Sequence, residues 1–200
     1  MATSVAARTS RLVAALLLAG AAGSACALEV AGVNVEEKAQ VEGRELVLNG
    51  AGLRKRAFFQ VYVIGLYLPQ KKAAAAEAIA APAPRRFAIH MLRDVDAETF
   101  TGALADGLKD NHGEAEMKAL EPRVRQLQEL MASVKEAKKG MRILLDGTAA
   151  GTQVTIDGRP AGLIPGEDFH RALARIWLGE RPVQDDLKKA LLGEMRGEKS

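Results

Sequence analysis

GAGLRKRAFFQVYVIGLYLP, residues 50–69, joins two glycines, the three cations Arg54, Lys55 and Arg56, and a long apolar run. Residues 57–68 read as one strand. Alternation puts Phe58, Gln60, Tyr62, Ile64, Leu66 and Leu68 on one face and Phe59, Val61, Val63 and Tyr67 on the other. A strand apolar on both faces is covered on both sides. The glycines and Arg54 ahead of it read as a turn, which sets a cation cluster at the mouth of a buried pocket.

Outward from this strand, 33–41 alternates weakly and 45–48 is a short strand, while 73–84, AAAAEAIAAPAP, predicts a surface helix ended by prolines. Residues 85–92, RRFAIHML, supply another strand. The middle is helical. A helix begins near Asp96 with Phe100, Leu104 and Leu108 at four-residue spacing. Met117, Leu120, Val124, Leu127, Met131 and Val134 then form a core-facing stripe, which Pro122 is expected to break into two helices. Strands return at 142–145, 153–156 and 161–164, punctuated by the hairpin-turn signals Asp146-Gly147 and Asp157-Gly158. A helix over 168–178 buries Phe169, Ala172, Leu173, Ile176 and Trp177, Gly179 caps it, and a short helix follows over 185–192. Strands at both ends around a helical middle predict an α+β domain with a largely antiparallel sheet. With no linker and no repeat, residues 28–200 read as a single domain.

Residues 1–27 read as a secretory signal peptide: Arg8 and Arg11 flank an apolar core over 12–22, and Ala25-Cys26-Ala27 fits small-residue cleavage after Ala27. That core is far short of the roughly 20 residues of a membrane helix, and no later stretch reaches that length. A periplasmic or secreted mature chain with no transmembrane segment is expected. Lipidation at Cys26 competes with this reading, but Gly23 stands where a leucine is expected three residues before a lipidated cysteine. Cleavage leaves 173 residues and removes two of the 28 basic residues, so 26 face 25 acidic ones and the net charge is +1. Such a balance gives no electrostatic reason to expect nucleic acid as a partner. The mature chain then has no cysteine, which excludes cysteine catalysis and thiolate metal sites. His90, His112 and His170 lie on separate elements without metal-ligand spacing, and no phosphate loop, dinucleotide fingerprint or nucleophile elbow is present.

GAGLR followed by FFQVYVIGLYL resembles the glycine-arginine turn and long strand of the chalcone isomerase family, and GLIPGEDFHRALARIWLG is similar to that family's closing strand and helix. The resemblance covers nearly all of 28–192. It implies an open-faced β-sandwich, a large antiparallel sheet with helices on one face and a cleft between them. It implies either an intramolecular lyase that cyclises a chalcone-like phenolic enone, or a fatty-acid binder without catalysis, in both cases with no cofactor and no metal. Both activities set the turn arginine against a substrate anion.

Arg54 matches that arginine, and a guanidinium fork suits a carboxylate or a phenolate; pairing with a local carboxylate such as Glu45 is the alternative. Tyr62 stands where the enzyme has a threonine, and it either donates a hydrogen bond to the ligand or simply fills the core. The family's cleft tyrosine and asparagine fall near Thr99 or Phe100 and near Asp106 or Gly107, and the closing-strand threonine is replaced by Ala161-Gly162. These departures favour binding over catalysis. The sequence therefore predicts a monomer that binds a small hydrophobic anion such as a fatty acid, with Arg54 and Tyr62 at the head group and Phe100, Leu104 and Phe169 along the chain. If the protein is an enzyme, Arg54 and Tyr62 are its catalytic candidates. A third reading is an envelope interaction module whose cleft is filled by its own side chains.

Overall fold

The computed structural model describes residues 27–194, so the expected leader lies outside the described residues except for Ala27. In chain order the elements are β1 (Ala27–Val30), β2 (Val33–Glu36), β3 (Lys38–Val41), β4 (Arg44–Arg56), β5 (Phe59–Leu68), α1 (Ala75–Ala80), β6 (Arg85–Met91), β7 (Val95–Asp96), α2 (Ala97–Asn111), α3 (Glu114–Ala132), β8 (Glu136–Ala137), β9 (Arg142–Gly147), β10 (Gly151–Ile156), β11 (Arg159–Pro165), α4 (Glu167–Leu178) and α5 (Asp185–Leu191). Seven strands form one sheet in the order β11-β10-β9-β6-β5-β4-β3, antiparallel at every step. This is the predicted α+β class.

The sheet is apolar on both faces because each is covered by something different. On one side Ile64, Leu66 and Leu68 of β5, with Phe87 and Ile89 of β6, pack against α2, α3 and α4 through residues such as Leu108, Leu127 and Trp177. On the other, Val63, Tyr67, Leu46 and Leu48 meet the β1–β2 hairpin through Val35. Burial of each such Leu, Ile or Val contributes about 1.5–3 kcal/mol.

Two bulges set the side chains near the end of the sheet. The β4–β5 register slips between Leu48 and Gly50 and again between Arg54 and Lys55, leaving Asn49 and Val61 as the extra residues. The slip at Val61 corrects the simple alternation: Val61 joins Tyr62 against the helical core rather than lying with Val63 on the opposite face. Asn49 is buried, and its side chain donates to the Leu191 and Lys72 carbonyls and accepts from the Lys72 N–H, at 2.7, 3.0 and 2.6 Å.

GAGLR is strand, not turn. β4 runs thirteen residues to Arg56, and the turn falls at Ala57-Phe58, so Phe58 is not part of the strand that follows. The glycines serve packing. A Cβ on Gly50 would stand 2.1 Å from the Ala190 carbonyl oxygen, and one on Gly52 would stand 2.7 Å from the Ala190 Cβ, because α5 lies directly on this backbone.

Three further expectations are corrected. Residues 33–41 form two strands in different sheets, β2 and β3. Pro122 does not divide the helix; α3 continues through it, since Leu120, Val124, Leu127 and Met131 form one buried stripe spanning it. Asp146-Gly147 ends β9 instead of turning it. The Asp146 carboxylate accepts from Arg86 Nε and Nη2 at 2.6 and 2.7 Å, and Gly147 lies flat on the His170 ring. Asp157-Gly158 is the turn its sequence signals, with both residues at positive φ.

Candidate functional site

Arg54 and Tyr62 face each other across the β4–β5 ladder, on the face that carries the helices. Tyr62 is buried, and Phe100 of α2 meets its ring edge-on at 6.3 Å. Trp177 of α4 donates its indole N–H to the Tyr62 hydroxyl at 3.0 Å. A buried indole needs an acceptor, and by supplying one Tyr62 keeps its own O–H to donate; among the described residues that O–H has no hydrogen-bond acceptor. Burial raises the Tyr62 pKa, against smaller lowering contributions from the Trp177 hydrogen bond and the Arg54 charge. Tyr62 is therefore a neutral donor at physiological pH.

Among the described residues no carboxylate pairs with the Arg54 guanidinium, which is held by neutral acceptors. Its Nη1 donates to the Lys55 carbonyl and, at 3.4 Å, to Gln184 Oε1. Gln184 immediately precedes α5 and is itself fixed, accepting from the Lys55 N–H at 2.8 Å and donating to the Leu53 carbonyl at 3.1 Å. The carboxylate considered for Arg54, Glu45, pairs instead with Lys38 at 2.8 Å, near the other end of β4.

These groups line a cavity of about 510 Å3 between the end of the sheet and α2. The sheet contributes Arg54, Arg56, Val61 and Tyr62; α2 contributes Phe100, Gly102 and Leu104 among others; Ile176, Pro182 and Val183 close it from α4 and the loop beyond. Thr99, Phe100, Asp106 and Gly107, where the family's cleft tyrosine and asparagine fall, all lie on its wall. Asp106 and Asp110 are exposed carboxylates on the same wall, so the cavity is not uniformly cationic.

Phe169 does not line this cavity. It is fully buried elsewhere in the same helix-side core, with the Arg123 guanidinium 5.6 Å from its ring centre. The apolar stripe of α4 points along the sheet, and of that stripe only Ile176 reaches the cavity wall. Conversely, sequence reasoning assigned Trp177 to the core and gave no role to Gln184. Trp177 carried a signal, since an interior indole implies a partner for its N–H; Gln184 carried none, being placed by the tertiary approach of α5 to β4. Gly162 of the closing strand packs on Leu130 and is not on the cavity wall.

A second cavity, of about 650 Å3, lies between β1 and α5 and contains neither Arg54 nor Tyr62. Glu29, Glu37 and Asp186 against Lys55 make it a poor anion site. Among the described residues no three His, Cys, Asp or Glu side chains gather as a metal-binding group, and no helix is long and apolar enough to cross a membrane.

Residues 27–193 match the family model described as chalcone isomerase-like. A similar solved structure is the crystal structure of a fatty-acid binding protein from Arabidopsis thaliana, at TM-score 0.63 and 15% identity over 80% of this chain and 92% of that one, which shows a common fold. No match was found among curated proteins. With the family model spanning every element from β1 to α5, the chain belongs to the chalcone isomerase-like family.

Proposed function

We propose that this protein binds a hydrophobic carboxylate, such as a fatty acid, in the cavity headed by Arg54, without catalysis. One observation carries the reading: a guanidinium with no carboxylate partner among the described residues and a phenolic O–H line one cavity whose wall also carries Val61, Phe100, Leu104 and Ile176. A carboxylate accepts from both at once, and charge-assisted bonds of this kind are the stronger class. The cavity volume of about 510 Å3 falls within the range of small-ligand sites, and the Arabidopsis neighbour is a fatty-acid binding protein. The open cavity weighs against a cleft filled by its own side chains. Extraction and mass spectrometry of the purified protein should yield fatty acid, and titration with palmitate should saturate. Arg54→Ala should weaken that binding about ten- to a hundredfold, the worth of a hydrogen bond to a charged group. A protein that carries no lipid and takes up no palmitate would sink the proposal.

The lyase reading keeps one favourable feature, because the same two donors suit a developing oxyanion. Against it, the family's cleft tyrosine, asparagine and threonine are all replaced. Loss of a chalcone absorbance faster than the spontaneous reaction, abolished by Arg54→Ala, would establish it. For location, the leader implies a periplasmic or secreted protein whose N-terminus is Leu28. Edman sequencing of the exported protein checks this, and a lipid-modified Cys26 at the N-terminus would replace it with the anchored form.

A further inference from the structure

Only three large apolar side chains are exposed among the described residues, and two are neighbours: Phe58 at 100% and Phe59 at 57%. They form the tip of the β4–β5 hairpin, where Arg56 pairs with Phe59 across a turn made by Ala57 and Phe58. Local structure does not call for them. Two-residue hairpin turns favour Asn-Gly, Asp-Gly or a leading glycine, yet here Ala57 takes φ +52°, in the left-handed region, and a phenylalanine follows it. Packing does not call for Phe58 either, since it is fully exposed.

The surroundings of this tip are cationic. Lys55 and Arg56 are exposed beside it, and the Arg93 guanidinium stacks 4.2 Å from the centre of the Phe59 ring. Among the described residues none of the three pairs with a carboxylate. The acids that follow Arg93 are engaged elsewhere: Asp94 accepts from the Lys139 N–H, and Asp96 caps α2 through the Thr99 N–H. An apolar point beside cations that make no direct ion pair is the composition of segments that enter the headgroup region of a bilayer, aromatic side first, with lysine and arginine against anionic lipid. A narrow hairpin tip offers far less than the roughly 800 Å2 per partner that a stable protein interface buries, which favours a fluid surface over a protein pocket.

We propose that the β4–β5 hairpin tip docks this protein on bilayers containing anionic lipid, with Phe58 and Phe59 entering the headgroup–acyl boundary and Lys55, Arg56 and Arg93 meeting lipid phosphates. Docking goes beyond ligand binding and rests on the tip's own side chains. It also has a consequence for the cavity, because Arg54, Arg56 and Val61, just behind the tip, belong to its wall. A docked tip sets that wall against the lipid surface.

The test places a reporter at the tip of the full chain. Trp177 is the only tryptophan and is fully buried, so it supplies a constant background. The Phe58→Trp variant is mixed with phosphatidylglycerol–phosphatidylcholine vesicles carrying nitroxide-labelled lipid. Its emission should shift to the blue and be quenched, whereas the parent chain shows neither change. Adding Lys55→Glu and Arg93→Glu should lower the lipid affinity about fivefold for each cation lost, and more for the reversed charge, and salt should weaken it further. Reading a probe at the tip separates docking there from attraction of the N-terminal apolar stretch, which every variant shares. Phe58→Ser should leave palmitate binding in solution at the parent level, so failure of docking and failure of the ligand reading are distinguishable. A Phe58→Trp emission that stays unquenched on anionic vesicles, or quenching equal on purely zwitterionic ones, overturns the proposal.

Discussion

Arg85 and His170 lie fully buried beneath the helical layer, where a cation is costly unless its donors are satisfied. Arg85 Nε donates to His170 Nδ1 at 3.1 Å, its Nη1 donates to the Ile79 and Ala81 carbonyls, and Glu167 lies 3.5 Å from Nη2. With Nδ1 accepting, His170 must donate through Nε2, to the Leu145 carbonyl at 3.1 Å. The neutral imidazole is thus built into the fold: burial and then the Arg85 charge push its pKa down from 6.5 to about 3. Unfolded, the same histidine takes up a proton near pH 6.5, so below that the unfolded state holds the extra proton. The stabilisation is complete above pH 6.5 and falls by about 1.4 kcal/mol per pH unit on acidification towards pH 3. Urea unfolding at pH 7 and pH 5 should therefore differ by about 2 kcal/mol from this residue; an equal pH dependence in His170→Gln would refute the assignment. Tyr62 gives a second prediction. Tyr62→Phe strands the buried Trp177 N–H, which should cost about 1–3 kcal/mol of stability. The same change should weaken palmitate binding about tenfold by removing one of the two donors; denaturation and titration of the one variant read both.

At the scale of elements, the contact of α5 with β4 is the one that shapes the site, because it brings Gln184 to Arg54. It depends on Gly50 and Gly52 having no side chain. Gly50→Ala would drive a Cβ to 2.1 Å from a backbone carbonyl, which cannot rotate away, so α5 must shift. A loss of about 1–3 kcal/mol in denaturant unfolding is expected, the usual cost of overpacking, and unchanged stability would show that α5 is not held against the strand. The same contact explains what the sequence conceals. Glycines in GAGLR signal a turn from local chemistry, but they answer to a helix more than a hundred residues away. Pro122 signals a helix break, yet a buried stripe on both sides of it carries α3 through. Asp146-Gly147 signals a hairpin, but Arg86 and His170 claim the two residues for packing. Elements whose apolar period was unambiguous, such as α4, β6 and the strands flanking Asp157-Gly158, were legible, since period and turn chemistry agree there. Of the residues expected at a site, Arg54, Tyr62, Phe100 and Leu104 line one cavity and Phe169 does not, because the sequence shows an apolar helix face without showing what that face meets.

For the whole molecule, the decisive question is how a sheet apolar on both faces leaves room for a ligand. One face is covered by the β1–β2 hairpin and most of the other by α3 and α4, and the cavity that holds Arg54 and Tyr62 lies where α2 passes the end of β4 and β5. The glycines of α2 divide that passage. A Cβ on Gly107 would press on Ile176 at 2.8 Å, so Gly107 brings α2 close to α4. A Cβ on Gly102, on the cavity wall one and a half turns earlier, would meet nothing within 4 Å. Gly102 therefore marks a point on the cavity wall where an added Cβ has open space before it. Gly102→Leu should fill part of the cavity, and it should stabilise α2 by about 0.5–1 kcal/mol, since a glycine inside a helix is disfavoured by that amount. The expected pair of results is a melting temperature at or above that of the parent together with a palmitate affinity lowered at least tenfold. Because the variant is not destabilised, lost binding cannot be assigned to unfolding. Palmitate binding unchanged in a stable Gly102→Leu protein would place the ligand elsewhere, and the cavity beside β1 would then be the one to block.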